Sequence, residues 1–268
     1  MKRTLAVIAL TIIANIALAT GWRITTKYYS IPQNRASERT EEVFLLNGYM
    51  KMVNGNLTTI FNLEQNEIIY INNLNQTYWK GNPSRFNAEV RAELEIMVEE
   101  KLYGVEKEQQ EAMRLMYKEM IDASFPTEGS VKQRAKSFSV HKEKEGETIS
   151  GYSATKYKIL EEGLYLETIW ITKELPIAND FNFINLSQFL NQLASGAYAA
   201  SFESSNEYFK LVEEGYPVKV QIQRGDGSLQ ISEVTSAEKI NLTPADFSIP
   251  TGHTPSTLTD VGVWDGFL

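Results

Sequence analysis

The stretch Val43–Trp79, VFLLNGYMKMVNGNLTTIFNLEQNEIIYINNLNQTYW, decides the fold class. Strand-forming runs at Val43–Val53, Leu57–Leu63, Glu67–Ile71 and Thr77–Trp79 are separated by Asn54-Gly55-Asn56, Glu64-Gln65-Asn66 and Asn72-Asn73-Leu74-Asn75. Asn and Gly tolerate the positive φ that a two-residue hairpin turn demands. Short β-branched and aromatic runs joined by such turns form an antiparallel meander.

Upstream, Ile24–Ile31 (ITTKYYSI) has the composition of a first strand, and the polar segment Gln33–Glu42 reads as a loop. Downstream, Gly81-Asn82-Pro83-Ser84 ends the meander. The pattern then becomes helical from Asn87 to about Ala123, with Val90, Leu94, Met97 and Val98 recurring at helical spacing, followed by Ala112, Met113, Met116 and Met120. Gly104 divides this stretch and Pro126 closes it. A second β region follows, with a strand at Ser137–His141 and a hairpin of Thr155–Leu160 and Tyr165–Thr172 across Glu161-Glu162-Gly163. Leu186–Leu193 and Glu203–Glu213 read as helices, and Val218–Arg224 turns through Gly225-Asp226-Gly227 into Leu229–Ile240. The expected class is α+β: a large antiparallel sheet with helices packed on one face. Residues 251–268, rich in Thr, Gly and Pro, are expected to lie loosely on the surface.

The N-terminus carries Lys2 and Arg3 before an apolar run, Leu5–Ala19, interrupted by Thr11 and Asn15. This is the layout of a cleavable signal peptide, with Ala17-Leu18-Ala19 supplying small residues for a cut after Ala19. The run falls short of the roughly 20 apolar residues that span a bilayer core. The expected division is 1–19 signal peptide, 20–250 one domain and 251–268 tail. The expected location is the periplasm or the exterior, with no stable membrane anchor after cleavage. The chain has no cysteine, so it has neither a lipid attachment site nor a disulfide, and an apolar core must carry its stability. Loss of Lys2 and Arg3 takes the formal charge from −8 to −10. Such a chain is poorly suited to nucleic acid, whose affinity comes from neutralised phosphates, and to anionic lipid surfaces.

Catalytic patterns are missing. Thiol chemistry needs cysteine, the two histidines His141 and His253 stand in unrelated contexts, and no Gly-x-Ser-x-Gly elbow occurs. The carboxylate pairs Glu41-Glu42, Glu99-Glu100 and Glu213-Glu214 read as solvated faces. No nucleophile, base and orienting group converge, so the expectation is a non-enzymatic protein without cofactor or metal.

Several segments resemble the secreted bacterial domains of unknown function called DUF4412. They are Tyr49–Met52, Thr58–Leu63, Glu67–Ile71 and Thr77–Trp79, then Gly151-Tyr152-Ser153-Ala154-Thr155-Lys156-Tyr157 and Glu167-Thr168-Ile169-Trp170-Ile171. Gly215–Val218 and Leu242–Pro250 continue the series in the same order. Such domains look like relatives of the LolA/LolB lipoprotein carriers. The resemblance implies a half-barrel, a curved antiparallel sheet with helices on its concave face enclosing an apolar cavity. It implies a carrier or sensor of a lipid or lipoprotein acyl chain and transfers no catalytic residue. The residues expected to line the cavity are Phe61, Tyr70, Trp79, Leu94, Met97, Met116, Tyr157 and Trp170. The alternative is an envelope scaffold with a filled core and a protein partner, because a Met stripe at helical spacing also makes ordinary core.

Overall fold

A computed structural model describes residues 19–32, 38–125, 136–193 and 201–262. Its strands are β1 (Ala19–Ile31), β2 (Arg39–Leu46), β3 (Tyr49–Asn54), β4 (Leu57–Asn62), β5 (Glu67–Asn72), β6 (Thr77–Gly81), β7 (Phe138–Ile149), β8 (Tyr152–Glu161), β9 (Leu164–Thr172), β10 (Tyr216–Gln223), β11 (Leu229–Leu242) and β12 (Thr254–Pro255). The helices are α1 (Pro83–Leu102), α2 (Lys107–Ser124), α3 (Phe183–Leu193) and α4 (Asn206–Glu214). All twelve strands form one sheet in the order β12-β6-β5-β4-β3-β2-β1-β11-β10-β9-β8-β7. Every pairing is antiparallel except that of β12 with β6. The sheet is curved and open, with helices on its concave face, which is the expected half-barrel.

The centre of the sheet is a long ladder between the two ends of the fold, β1 against β11, running from Ala19↔Leu242 to Ile31↔Leu229. The meander β2–β6 extends to one side and β10–β7 to the other. Alternation of side chains sorts the two faces. On the concave face Trp22 and Ile24 of β1 join Val43, Leu45, Phe61, Ile68 and Trp79 of the meander. Phe86 and Val90 of α1 and Leu186, Phe189 and Leu193 of α3 close over them. Further across the sheet, Tyr157, Ile159, Ile169 and Ile171 pack with Phe202 and with Leu211 of α4. On the convex face of the meander, Ile60, Ile69 and Ile71 are covered by Phe247 and Leu242.

The helix starts are written in the sequence. The Asn82 side chain accepts the backbone N–H of Arg85 at 2.8 Å with Pro83 in the first turn, and the Ser205 hydroxyl accepts Tyr208 N–H at 3.1 Å.

The structure corrects four sequence-based readings. Val43–Val53 is not one strand: Asn47-Gly48, with Gly48 at φ +78°, makes a hairpin between β2 and β3. The polar segment before it is shorter than expected, because Arg39–Glu42 already pair with β1 through Thr25–Tyr28. β7 runs on through Lys142–Glu147, whose ion pairs with neighbouring charges suit an edge strand facing water. Finally, residues 251–262 do not lie loosely. Thr254 N–H donates to Gln76 C=O at 2.9 Å and Ser256 N–H to Tyr78 C=O at 2.8 Å, covering the β6 edge. Leu258 and Val261 then enter the main core beside α1, where the Thr259 hydroxyl donates to Glu93 at 2.6 Å. Composition hid this, because two apolar residues among Thr, Gly and Pro suffice to anchor a strap. The expected signal peptide, apart from Ala19, the stop at Pro126 and residues 263–268 lie outside the described residues.

Leu258 is 0 % exposed, so Leu258→Ala is expected to cost about 2–5 kcal/mol in urea unfolding. Leu74→Ala, at a site 72 % exposed, should change stability by no more than about 0.5 kcal/mol. Equal, small effects of the two would show that the strap does not hold.

Candidate functional site

The residues expected to line a cavity fall into separate places. Phe61, Tyr70, Trp79 and Leu94 come together between the meander and α1. There Tyr70 stacks on Phe86 at 5.4 Å, Trp79 meets Phe86 edge-on at 5.7 Å, and Phe61 meets Phe189 at 5.4 Å. The Trp79 indole N–H donates to Glu89. These rings pack on one another and fill the space. Tyr157 lies under α4, with its hydroxyl donating to Glu214 at 2.7 Å. Trp170, next to Ile169 in β9, belongs to the main core cluster that also holds Phe61 and Trp79. Its cross-strand partners are Lys156 and Lys219, whose ammonium groups stand 5.7 and 5.4 Å from its ring, and its N–H donates to Glu147 at 2.7 Å. Met97 is half-buried on α1, whereas Met116 on α2 is 48 % exposed.

The concave face does contain a cavity, of about 350 Å³, in a place that sequence reasoning missed. Its floor is the middle of the sheet: Thr26 and Tyr28 of β1, Met50 of β3, Val218 and Val220 of β10, and Ser232 and Val234 of β11. Its roof is Phe183, Leu186 and Leu190 of α3 with Tyr208 and Phe209 of α4. Tyr216 and Glu203 also contribute to the lining. Two features of the sheet open this space. Small side chains, Ser232 and Thr26, take floor positions between larger neighbours. The register also shifts at Thr25/Thr26 in the β1–β11 ladder and at Pro217/Lys219 in the β9–β10 ladder, and such bulges bend a strand and increase its twist. Both irregularities lie in strands that form the cavity floor.

The polar groups around the cavity are acidic and phenolic. The Tyr28 hydroxyl donates to Glu41 of the neighbouring strand β2 at 3.1 Å. Burial pushes the Glu41 carboxyl above its ordinary range, while the Tyr28 hydrogen bond and the Arg39 charge pull it back. Burial likewise raises the Tyr28 and Tyr216 phenols, with Glu41 adding to both effects. Glu167 sits on the same face of β9 as Ile169 and is 2 % exposed. Burial, then the charge of Glu203, pushes its pKa to about 8, and its Oε1 has no hydrogen-bond partner. Lys219 contributes to the lining, but its ammonium binds Glu233 at 3.3 Å.

A larger and more open concavity, about 1010 Å³, runs along the α1–α2 hairpin between Ile96, Glu99, Tyr103, Arg114 and Ile121. Tyr103, Leu115, Met116 and Met120 are all exposed nearby, Tyr103 to 92 %. Arg114 and Glu99 pair across the two helices at 2.7 Å. Among the described residues no group of three or more His, Asp or Glu could hold a metal ion, and no helix is long and apolar enough to cross a membrane. His141 is exposed, with Ser139 as its hydrogen-bonding neighbour at 3.3 Å.

An open half-barrel whose helices roof an apolar cavity defines a class of α+β protein built around an enclosed concave face. Within that class the chain belongs to the DUF4412 family, described as a domain of unknown function, whose profile matches residues 80–253. The meander before Lys80 lies outside the matched span. No curated protein matches the sequence. Among solved structures, PNGF-II is similar at 12 % identity over 91 % of this chain and 32 % of that one, with a TM-score of 0.36. MucB is similar at 10 % identity over 87 % and 58 %, TM-score 0.36. A Pseudomonas aeruginosa MucA/MucB complex is similar at 6 % over 86 % and 56 %, TM-score 0.34. This chain spans less than two thirds of each of those chains, and nothing of their activity or partners carries over at such scores.

Glu167 generates a signed pH prediction. Its folded pKa is raised above the unfolded value of 4.5, so between that value and about 8 the folded state holds a proton that the unfolded state has released. Its contribution to stability is therefore fully present below 4.5 and is lost as pH rises to about 8. Glu167→Gln removes this loss. The variant should gain on the native protein by up to about 1.4 kcal/mol per pH unit from pH 5 to pH 8 in urea unfolding. A pH-independent difference would mean that Glu167 is charged in the folded protein.

Proposed function

We propose that this chain is an extracytoplasmic, non-enzymatic binding protein that carries or senses an apolar ligand, a lipid or lipoprotein acyl chain, in the concave cavity under α3 and α4. One observation carries the reading: an aromatic and aliphatic cavity of about 350 Å³ between sheet and helices. Small-molecule sites run from about 300 to 1,000 Å³, so this volume suits one chain and not a whole lipid. Each methylene buried there contributes about 0.8 kcal/mol, enough for useful affinity from a single alkyl chain. The apolar N-terminal run supports export. A cut after Ala19 would leave the β1 pairs from Thr20 to Ile31 intact.

A second reading rests on the α1–α2 hairpin. Ile96, Tyr103, Leu115, Met116 and Met120 are all exposed on this hairpin, and contiguous exposed apolar patches mark protein contacts. On that reading the chain is an envelope scaffold, and the patch receives a protein partner.

Native mass spectrometry of the protein from a secreting host, purified without detergent, tests both export and cargo. The expected mass corresponds to a chain starting at Thr20 plus an adduct that organic extraction releases as lipid. Ser232→Phe projects a ring from the floor into the cavity and should abolish the adduct while leaving the melting temperature within a few degrees. Loss of stability by about 1–3 kcal/mol in that variant would instead mark a filled core. An adduct-free mass in the unaltered protein, with no uptake of added fatty acid, would turn the argument to the scaffold.

A further inference from the structure

We infer that the polar end of the ligand is an organic cation, so that the cavity accepts an ammonium group carried on an apolar chain. This rests on the reading of the cavity as a ligand site and specifies the chemistry of that ligand. Three observations converge on it. First, the lining is unusually aromatic: Tyr28, Phe183, Tyr208, Phe209 and Tyr216 all face the space. Ring faces carry negative quadrupole potential and attract ammonium groups, most strongly where water is excluded. The cavity wall already makes one such contact, because the Arg39 guanidinium stands 4.3 Å from the centre of the Tyr28 ring.

Second, the formal charges leave an acidic remainder. Glu41 is offset by Arg39, whose charge acts on it, and Lys219 is bound to Glu233. Glu203, which lines the cavity, is the carboxylate left over. A carboxylate or phosphate head would meet Glu203, with the buried acid Glu41 behind Tyr28, and gain no free cation in exchange. Third, Glu167 lies on the same face within electrostatic reach of Glu203, deeply buried and with one oxygen unpartnered. A buried acid without a partner costs stability unless something supplies a donor or a compensating charge. A bound ammonium beside Glu203 would offset the charge that Glu203 exerts on the buried Glu167.

The test compares decyltrimethylammonium, decanoate and decanol, each below its aggregation concentration, by isothermal titration calorimetry at pH 7. The expected order is cation tightest, alcohol next and carboxylate weakest, with the cation at least about tenfold ahead of the carboxylate. Glu203→Gln should narrow that gap and leave decanol affinity unchanged. The whole chain is acidic, at −8, so non-specific attraction of the cation must be separated: Ser232→Phe should abolish binding of all three. Equal binding of the three probes, or tighter binding of decanoate, would overturn the cationic head and keep the apolar cavity. Cation binding that survives Ser232→Phe would overturn it as surface attraction. No binding of any probe would overturn both the cation and the cavity reading.

Discussion

The structure depends on one ladder, the antiparallel pairing of β1 with β11. It joins residues near 20 to residues near 240, so neither the meander nor the second β region has a complete neighbour until the chain ends meet. β1 also pairs with β2 on its other edge, so it stands between the two halves of the sheet. The fit there is close. At Gly21 an added Cβ would stand 2.4 Å from the Leu45 carbonyl oxygen and 2.6 Å from a Leu242 methyl. Only glycine permits that approach. Closing so long a loop is entropically costly before any contact rewards it, and this predicts slow folding relative to a local meander.

The same ladder explains where the cavity lies. The helices arrive in two groups. α1 follows the meander and packs beside it through Phe86 and Val90, whereas α3 and α4 follow the second β region and cross the middle of the sheet. Over the meander the fit is complete, because large rings from both layers interlock. Over the central strands it is incomplete, because bulges bend the floor and two small polar side chains stand where bulky ones would fill the gap. A cavity that served no purpose would be a net loss of dispersion contacts.

Much of this architecture was legible in the sequence, and its failures share one cause. Local signals succeeded: turns such as Asn54-Gly55, the helical spacing of Val90 and Leu94, and the hairpin at Glu162-Gly163 all appear where the pattern placed them. Asn47-Gly48 carried the same signal and was overlooked inside an apolar run. What local patterns could not supply was partnership at long range. The strap from Thr254 to Val261 looks like a loose tail until β6 and α1 are beside it. The cavity lining comes from β1, β3, β10, β11, α3 and α4, from Thr26 at one end of the chain to Val234 at the other. Leu186–Leu193 reads as helical from the sequence, but nothing local shows that Phe183 extends the helix or what its apolar face packs over.

The methionine-rich helix illustrates why composition misled. Met113, Met116 and Met120 recur at helical spacing, which ordinarily marks a buried face. α2 nevertheless packs chiefly on α1 alone, through the Arg91–Asp122 and Arg114–Glu99 pairs and the buried Ile121. Its methionines therefore stand outside the core that the sheet encloses, while the cavity needs rigid rings and finds them in Tyr28, Phe183 and Tyr216. The two surfaces have different physics. Flexible thioethers on an exposed hairpin suit a partner whose shape varies. Fixed aromatic rings under a helical roof suit a ligand whose size is set by the volume between two layers. The chain thus offers two unlike apolar surfaces, one roofed by α3 and α4 against the sheet and one exposed on the α1–α2 hairpin, and a protein that held a ligand in the first could present the second to a partner without either site interfering with the other.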